Sequence, residues 1–288
     1  MRVHVLGAGR MGLPMARHLR EGGHALSVSD PDGERLRLAR EAQLAVSDAA
    51  VDIAEADVVL SSLPDDAALL AVADQLARHA RRGTTWIDTS TVSPTASAQA
   101  AQACAEAGVR HLRATVSGNN HMAEAAQLTV MASGPRASYD AMLPLLRLLG
   151  PSQFWLGEDE QARLMKLVVN LMIAQTSAML AEALTLGRKG GLDWRDMFGV
   201  LTASAVASPI LKAKAVQLAG RDFAPTFTVE QMRKDLGLIL DAAARANVPL
   251  PQTAATLQLM QSASAQGLGG QDYAAIIRCV ERAAGLED

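Results

Sequence analysis

The chain opens with Val3-His4-Val5-Leu6, continues with Gly7-Ala8-Gly9-Arg10-Met11-Gly12, passes through an apolar helical segment and reaches Ala25-Leu26-Ser27-Val28-Ser29-Asp30. This order of strand, glycine turn, helix, strand and acid leaves few folds open. Glycines at such a turn let a phosphate approach the backbone. The helix that starts there aims free N–H groups and its positive end at the anion. A bare Gly-x-Gly-x-x-Gly is weak, but one that leaves a strand, opens a helix and has an acid about twenty residues on has the context of a dinucleotide site. Gly7, Gly9, Arg10, Met11 and Gly12 are its candidates at the turn. Asp30 is placed to accept a hydrogen bond from an adenine ribose 2′-OH and to repel a 2′-phosphate. NAD is therefore the expected cofactor. Arg35 and Arg37, downstream, are the counter-signal that keeps NADP as the alternative.

At 288 residues the chain has room for one large domain or two moderate ones, with a sizeable core. A net charge of −3, scattered basic residues and few aromatics argue against nucleic acid or an anionic membrane as partner. Cys104 and Cys279 lack Cys-x-x-Cys spacing and read as buried thiols in a reduced compartment. The six histidines show no metal-ligand spacing, so no metal is expected. No signal peptide precedes the first strand, which points to the cytoplasm. The most membrane-like run, 164–186, holds Lys166, Asn170, Gln175 and Glu182, all costly in lipid, and reads as a buried helix of a soluble protein.

The first half alternates short β runs with helical patterns, the signature of βαβ units and a mostly parallel sheet. Strands are predicted at 2–6, 25–29, about 44–46, 57–62, 84–89, 109–116, 127–133 and 153–156. After Gly157 the pattern is helical throughout, at about 159–187, 194–204, 209–219, 228–246, 252–265 and 272–283, with Gly or Pro at the breaks. The domain boundary is set near residue 158, giving 1–158 as nucleotide-binding and 159–288 as helical. Gly267 to Gly270 follows a helix and is read as a loop.

The long helix at the boundary is largely apolar, yet it carries Lys166, with Asn170 four residues on and so on the same face. A lysine and an amide in a narrow polar stripe suggest a ligand-facing cleft. Arg163, one turn before Lys166, is read either as a contact for an anionic substrate or as the cap of a solvated helix end.

These segments, in their order, resemble the β-hydroxyacid dehydrogenase family, the group of 3-hydroxyisobutyrate dehydrogenase and tartronate semialdehyde reductase. The resemblance spans nearly the whole chain. It is carried by the opening fingerprint from Val5 to Ala16, Leu63-Pro64, Asp88-Thr89-Ser90-Thr91-Val92-Ser93-Pro94, Val116-Ser117-Gly118, Lys166-Leu167-x-x-Asn170, and Phe227 through Lys234-Asp235-Leu236. It implies an α/β fold: an N-terminal Rossmann-like domain, a long joining helix and an all-α C-terminal domain. It also implies a homodimer or homotetramer. The implied reaction is hydride transfer between NAD, or NADP, and a small β-hydroxy carboxylate or its semialdehyde. Lys166 would be the general acid/base, with Asn170 beside it. Ser117, Gly118 and Asn119 would hold the substrate. Leu63, Pro64 and Thr91 would border the nicotinamide, and Lys234 would reach substrate or cofactor. Where the family has Asp-x-Pro-Val-Ser-Gly-Gly, this chain has Arg113-Ala114-Thr115-Val116-Ser117-Gly118-Asn119, and Asn120-His121 follow. The departure suggests a more polar or smaller pocket, or else a capped turn. The alternatives are an imine reductase-like enzyme, against which Lys166 and Asp30 argue, and a non-catalytic NAD-binding module.

Overall fold

The computed structural model describes residues 1–47 and 49–286. The chain divides into two compact units, Met1–Lys166 and Leu167–Asp288.

The first unit is built on an eight-stranded sheet. Its strands are β1 (Arg2–Leu6), β2 (Ala25–Ser29), β3 (Ala45–Val46), β4 (Val58–Ser61), β5 (Thr85–Asp88), β6 (Arg110–Ser117), β7 (Thr129–Ser133) and β8 (Ser152–Trp155), in the order β3-β2-β1-β4-β5-β6-β7-β8. Pairing is parallel except between β6 and β7. Among the described residues, seven helices accompany the strands: α1 (Gly12–Glu21), α2 (Gly33–Glu41), α3 (Ala49–Glu55), α4 (Asp66–His79), α5 (Pro94–Ala107), α6 (Asn120–Glu124) and α7 (Arg136–Leu146). The near-continuous apolar strands are explained by burial on both faces. Val58, Leu60 and Ile87 pack in one core with Met15 and Leu19 of α1 and Leu145 of α7. Val59 and Trp86 point the other way, toward Leu69 and Leu76 of α4 and Ala100 and Cys104 of α5. Ser93 caps α5 by accepting the Ala96 N–H, and Pro94 occupies the first turn.

The helix α8 (Gln161–Lys189) runs through the division of the chain. By length and composition it is apolar enough to cross a membrane. Here its apolar face is core, with Leu167, Ala174, Leu180, Ala181 and Leu184 buried. The second unit continues with α9 (Trp194–Ala203), α10 (Pro209–Ala219), α11 (Val229–Arg245), α12 (Pro251–Ala263) and α13 (Ile276–Ala283). Thr228 and Gln231 form a reciprocal capping box at the start of α11. The Gly267 region, expected as a loop, is a π turn over Ser264–Leu268, with Gly267 in the left-handed region. Both cysteines are free and buried.

Candidate active site

The strand order reverses between β1 and β4, and the carboxyl ends of parallel strands at such a point are where ligands bind in open α/β sheets. The glycine turn leaves β1 there. Gly7 has φ +96°, and a Cβ on it would lie 2.4 Å from the Ser62 carbonyl oxygen. A Cβ on Gly12 would lie 1.9 Å from the Gly7 carbonyl oxygen. The protein itself therefore demands glycine at both positions. At Gly9 it does not, since the nearest atom to a Cβ is Arg35 Nη1 at 3.9 Å. The bare backbone at Gly9 is not required by the protein's own packing, which fits a glycine kept for close approach of a pyrophosphate. Arg10 and Met11 complete the turn, and α1 starts at Gly12.

Asp30, at the end of β2, has a side chain only 1% exposed. Its Oδ2 accepts the Ala8 N–H at 2.8 Å, and its Oδ1 accepts the Asp32 N–H at 2.8 Å. The carboxylate thus locks the glycine turn to the second strand. Arg35 lies against it, Nη1 3.5 Å from Asp30 Oδ2 and Nε 3.6 Å from Asp32 Oδ2. Arg37 is engaged by Glu34 and Glu41. Both arginines that signalled NADP are paired with acids.

Leu63 and Pro64 follow β4. The Leu63 N–H donates to Ser90 Oγ at 2.8 Å, and Ser90 Oγ donates to Asp88 Oδ1 at 2.7 Å. This joins the turn after β4 to the loop after β5 that carries Thr91. Ser117 ends β6, next to β5 and parallel to it, so Ser117 and Gly118 lie on the same rim of the sheet. Asn119 Oδ1 accepts the Met122 N–H at 3.0 Å and caps the short α6. Its side-chain oxygen is committed to the fold, while its amide N–H groups remain available as donors.

Arg163 corrects the expectation for its residue. It neither caps a solvated helix end nor waits for a substrate. Its side chain is fully buried in an ion pair with Asp88, also fully buried. Nη1 donates to the Ser90 carbonyl at 2.7 Å and Nε to Ser97 Oγ at 3.0 Å. An unpaired guanidinium could not be buried so deeply. Two of the three departures around Ser117 also find their reason here. Arg113 pairs with Glu160, just before α8, and Thr115 Oγ1 donates to the Ala162 carbonyl at 3.0 Å. Both hold the start of α8.

Lys166 is half-buried, one turn beyond Arg163. Asn170 and Lys234 belong to the second unit. Asn170 is buried and donates through Nδ2 to Asp235 Oδ2 at 2.5 Å, while Lys234 Nζ lies 3.1 Å from Asp235 Oδ1. Asp235 thus gathers Asn170 and Lys234. Among the described residues no group of three or more His, Cys, Asp or Glu side chains is placed to hold a metal ion.

Residues 2–157 match the family model for the NAD-binding domain of 6-phosphogluconate dehydrogenase. Residues 161–280 match the family model described as NAD-binding of NADP-dependent 3-hydroxyisobutyrate dehydrogenase. The chain belongs to the 3-hydroxyisobutyrate dehydrogenase-like β-hydroxyacid dehydrogenases. Among these dehydrogenases, 2-(hydroxymethyl)glutarate dehydrogenase of Eubacterium barkeri is 32% identical over 99% of this chain and 97% of its own. Glyoxylate/succinic semialdehyde reductase 1 of Arabidopsis thaliana is 28% identical over 98% of this chain and 99% of its own. The structure of 3-hydroxyisobutyrate dehydrogenase of Mycobacterium tuberculosis with L-serine superposes with a TM-score of 0.89 at 28% identity, covering 97% of this chain and 99% of that one. This dehydrogenase is accordingly an NAD(P)-dependent oxidoreductase acting on CH–OH groups, with an N-terminal Rossmann domain and a helical C-terminal domain.

Proposed function

We propose that the chain interconverts a small β-hydroxy carboxylate and the matching semialdehyde or keto acid, with Lys166 as general acid/base and NAD as the preferred cofactor. One observation carries this reading. The glycine turn after β1, Leu63-Pro64 after β4, Thr91 after β5 and Ser117-Gly118 after β6 all lie on one rim of the sheet, and Arg163 ties the helix of Lys166 to that same rim.

A bound nicotinamide supplies the hydride acceptor for oxidation and the donor for reduction. The protein binds, orients and manages protons. Gly7, Gly9 and Gly12 would cradle the pyrophosphate at the start of α1, and Asp30 would hold the adenine ribose. Ser117 Oγ and the N–H groups of Gly118 and Asn119 hold the substrate carboxylate, fixing the reacting carbon at transfer distance. As the C–H bond gives up its hydride, the hydroxyl O–H bond breaks, its proton passes to Lys166 Nζ and the C=O bond forms. In the reverse direction Lys166 returns that proton to the carbonyl oxygen. Asn170 and Lys234, both held by Asp235, are the further candidates for contact with substrate or cofactor.

The proposed setting is the cytoplasm, with neither nucleic acid nor a membrane as partner. Homo-oligomerisation is supported by Met172, Met179 and Leu186, exposed at seven-residue intervals on α8 as one apolar stripe. The direct test is NAD(P)⁺ reduction over a panel of C3–C6 hydroxy acids. Turnover of β-hydroxy acids with little from the α-hydroxy isomers is expected, and no turnover of any β-hydroxy acid would overturn the reading.

A further inference from the structure

The start of α8 is held to the sheet by more polar bonds than a helix end requires. Ser133 Oγ donates to the Asp159 carbonyl at 2.6 Å and accepts the Ala162 N–H at 3.1 Å. Thr115 holds the Ala162 carbonyl, and Arg113 pairs with Glu160. Arg163 then reaches Asp88, the Ser90 carbonyl and Ser97. Strands β5, β6 and β7 and helix α5 thus each grip residues 159–163.

Asp88 is the hub of this arrangement. Its Oδ2 takes Arg163, and its Oδ1 accepts from Ser90 Oγ and from Ser61 Oγ. Ser90 Oγ in turn accepts the Leu63 N–H, and Ser61 Oγ accepts the Trp86 indole N–H at 2.8 Å. One buried carboxylate therefore touches the loop leading to Thr91 and the helix of Lys166 through single hydrogen bonds, and reaches the turn of Leu63-Pro64 through Ser90. Burying such a pair gains little stability over an apolar pair of the same size, because desolvation offsets the attraction. What it does provide is direction. A planar guanidinium with three fixed acceptors allows one placement of the helix, which apolar packing would leave free to slide.

We propose that Asp88 and Arg163 are a positioning pair for catalysis, setting Lys166 against the Leu63-Pro64 turn and the Thr91 loop. This rests on the reading of Lys166 as the acid/base. Misplacing a catalytic group by about 1 Å costs on the order of 100-fold in rate. Loss of the pair should therefore fall on kcat. Binding of substrate and cofactor, made by other residues, should change little.

The test compares Arg163→Lys, the charge-balanced double variant Asp88→Asn/Arg163→Met, Ser97→Ala and, in parallel, Lys166→Met. The readouts are kcat, KM, the deuterium isotope effect on hydride transfer, and the Kd for NAD by calorimetry. The double variant is expected to lose about 100-fold in kcat, with KM and Kd within about threefold and a larger isotope effect. Arg163→Lys, which keeps the charge and loses the fork, is expected to recover about tenfold of that loss. If the double variant does not fold, Arg163→Lys and Ser97→Ala decide, with kcat lowered at unchanged Kd expected. Wild-type kcat in the folded double variant, or in both single variants, overturns the positioning role while leaving Lys166 untouched if Lys166→Met is inactive. An active Lys166→Met removes the reading of Lys166 and the proposal together.

Discussion

At the scale of single residues, the charge around Asp30 carries the proposed preference for NAD. Asp30, Asp32 and Arg35 sum to one negative charge, and Arg37 is spoken for by Glu34 and Glu41. A ribose 2′-OH has an acceptor there, whereas a 2′-phosphate meets two carboxylates and no uncommitted guanidinium among these residues. NAD is expected to bind at least about tenfold more tightly than NADP, a gap of about 1.4 kcal/mol. Asp32→Asn keeps an acceptor for the Glu34 N–H that caps α2 and removes a charge from Arg35. It should narrow the gap. Equilibrium titration with both dinucleotides checks this, and tighter binding of NADP by the wild type would contradict it.

At the scale of elements, α1 and its turn show what a sequence can announce. Their geometry is local: Gly7 needs a left-handed backbone and Gly12 a bare Cα, and the spacing states both. Gly12→Ala would press a methyl group into the Gly7 carbonyl, so dinucleotide binding should weaken by more than about 100-fold, or about 2.7 kcal/mol. Gly33→Ala, with open space around it, is the matched control and should bind normally. Calorimetry distinguishes the two, and equal affinities would refute the cradle. The strands and the helices after residue 160 were equally legible, since period and breakers are local too. Arg163 was not. Its partner Asp88 lies 75 residues away, and no local pattern shows that the two meet. The partners of Arg113 and Thr115 were hidden for the same reason: they flank a substrate motif in sequence but bond to the start of α8 in space. The five-residue α6 was foreseen only as a capped turn, being too short for a helical period to appear.

At the scale of the whole molecule, two units with separate cores carry the fold, and the first holds ionisable groups that burial keeps neutral. His4 is lowered to about 4 by burial, with Asp52 opposing, and its ring meets Ser27 and Ser29. His111, stacked on Trp86 at 4.2 Å, is pushed well below the usual histidine range by burial and by the nearby Arg113 and Arg163. For such groups the unfolded chain takes up the proton first. Their stabilisation is complete above pH 6.5 and falls as the pH drops toward the folded value. Between pH 6.5 and 5 His4 should cost up to about 2 kcal/mol, with His111 acting in the same direction. Urea unfolding followed by tryptophan fluorescence should show this loss from pH 7 to 5, and His4→Gln should flatten part of it. Stability that holds or rises over that range would contradict the account. The central claim is that one amine moves the proton for the whole machine. Steady-state turnover of the best β-hydroxy acid by Lys166→Met, alongside calorimetric NAD binding, tests it most directly. The account predicts kcat lower by a factor of about 10² to 10⁴ with NAD affinity unchanged, and turnover within about tenfold of wild type by a folded, NAD-binding variant would contradict it.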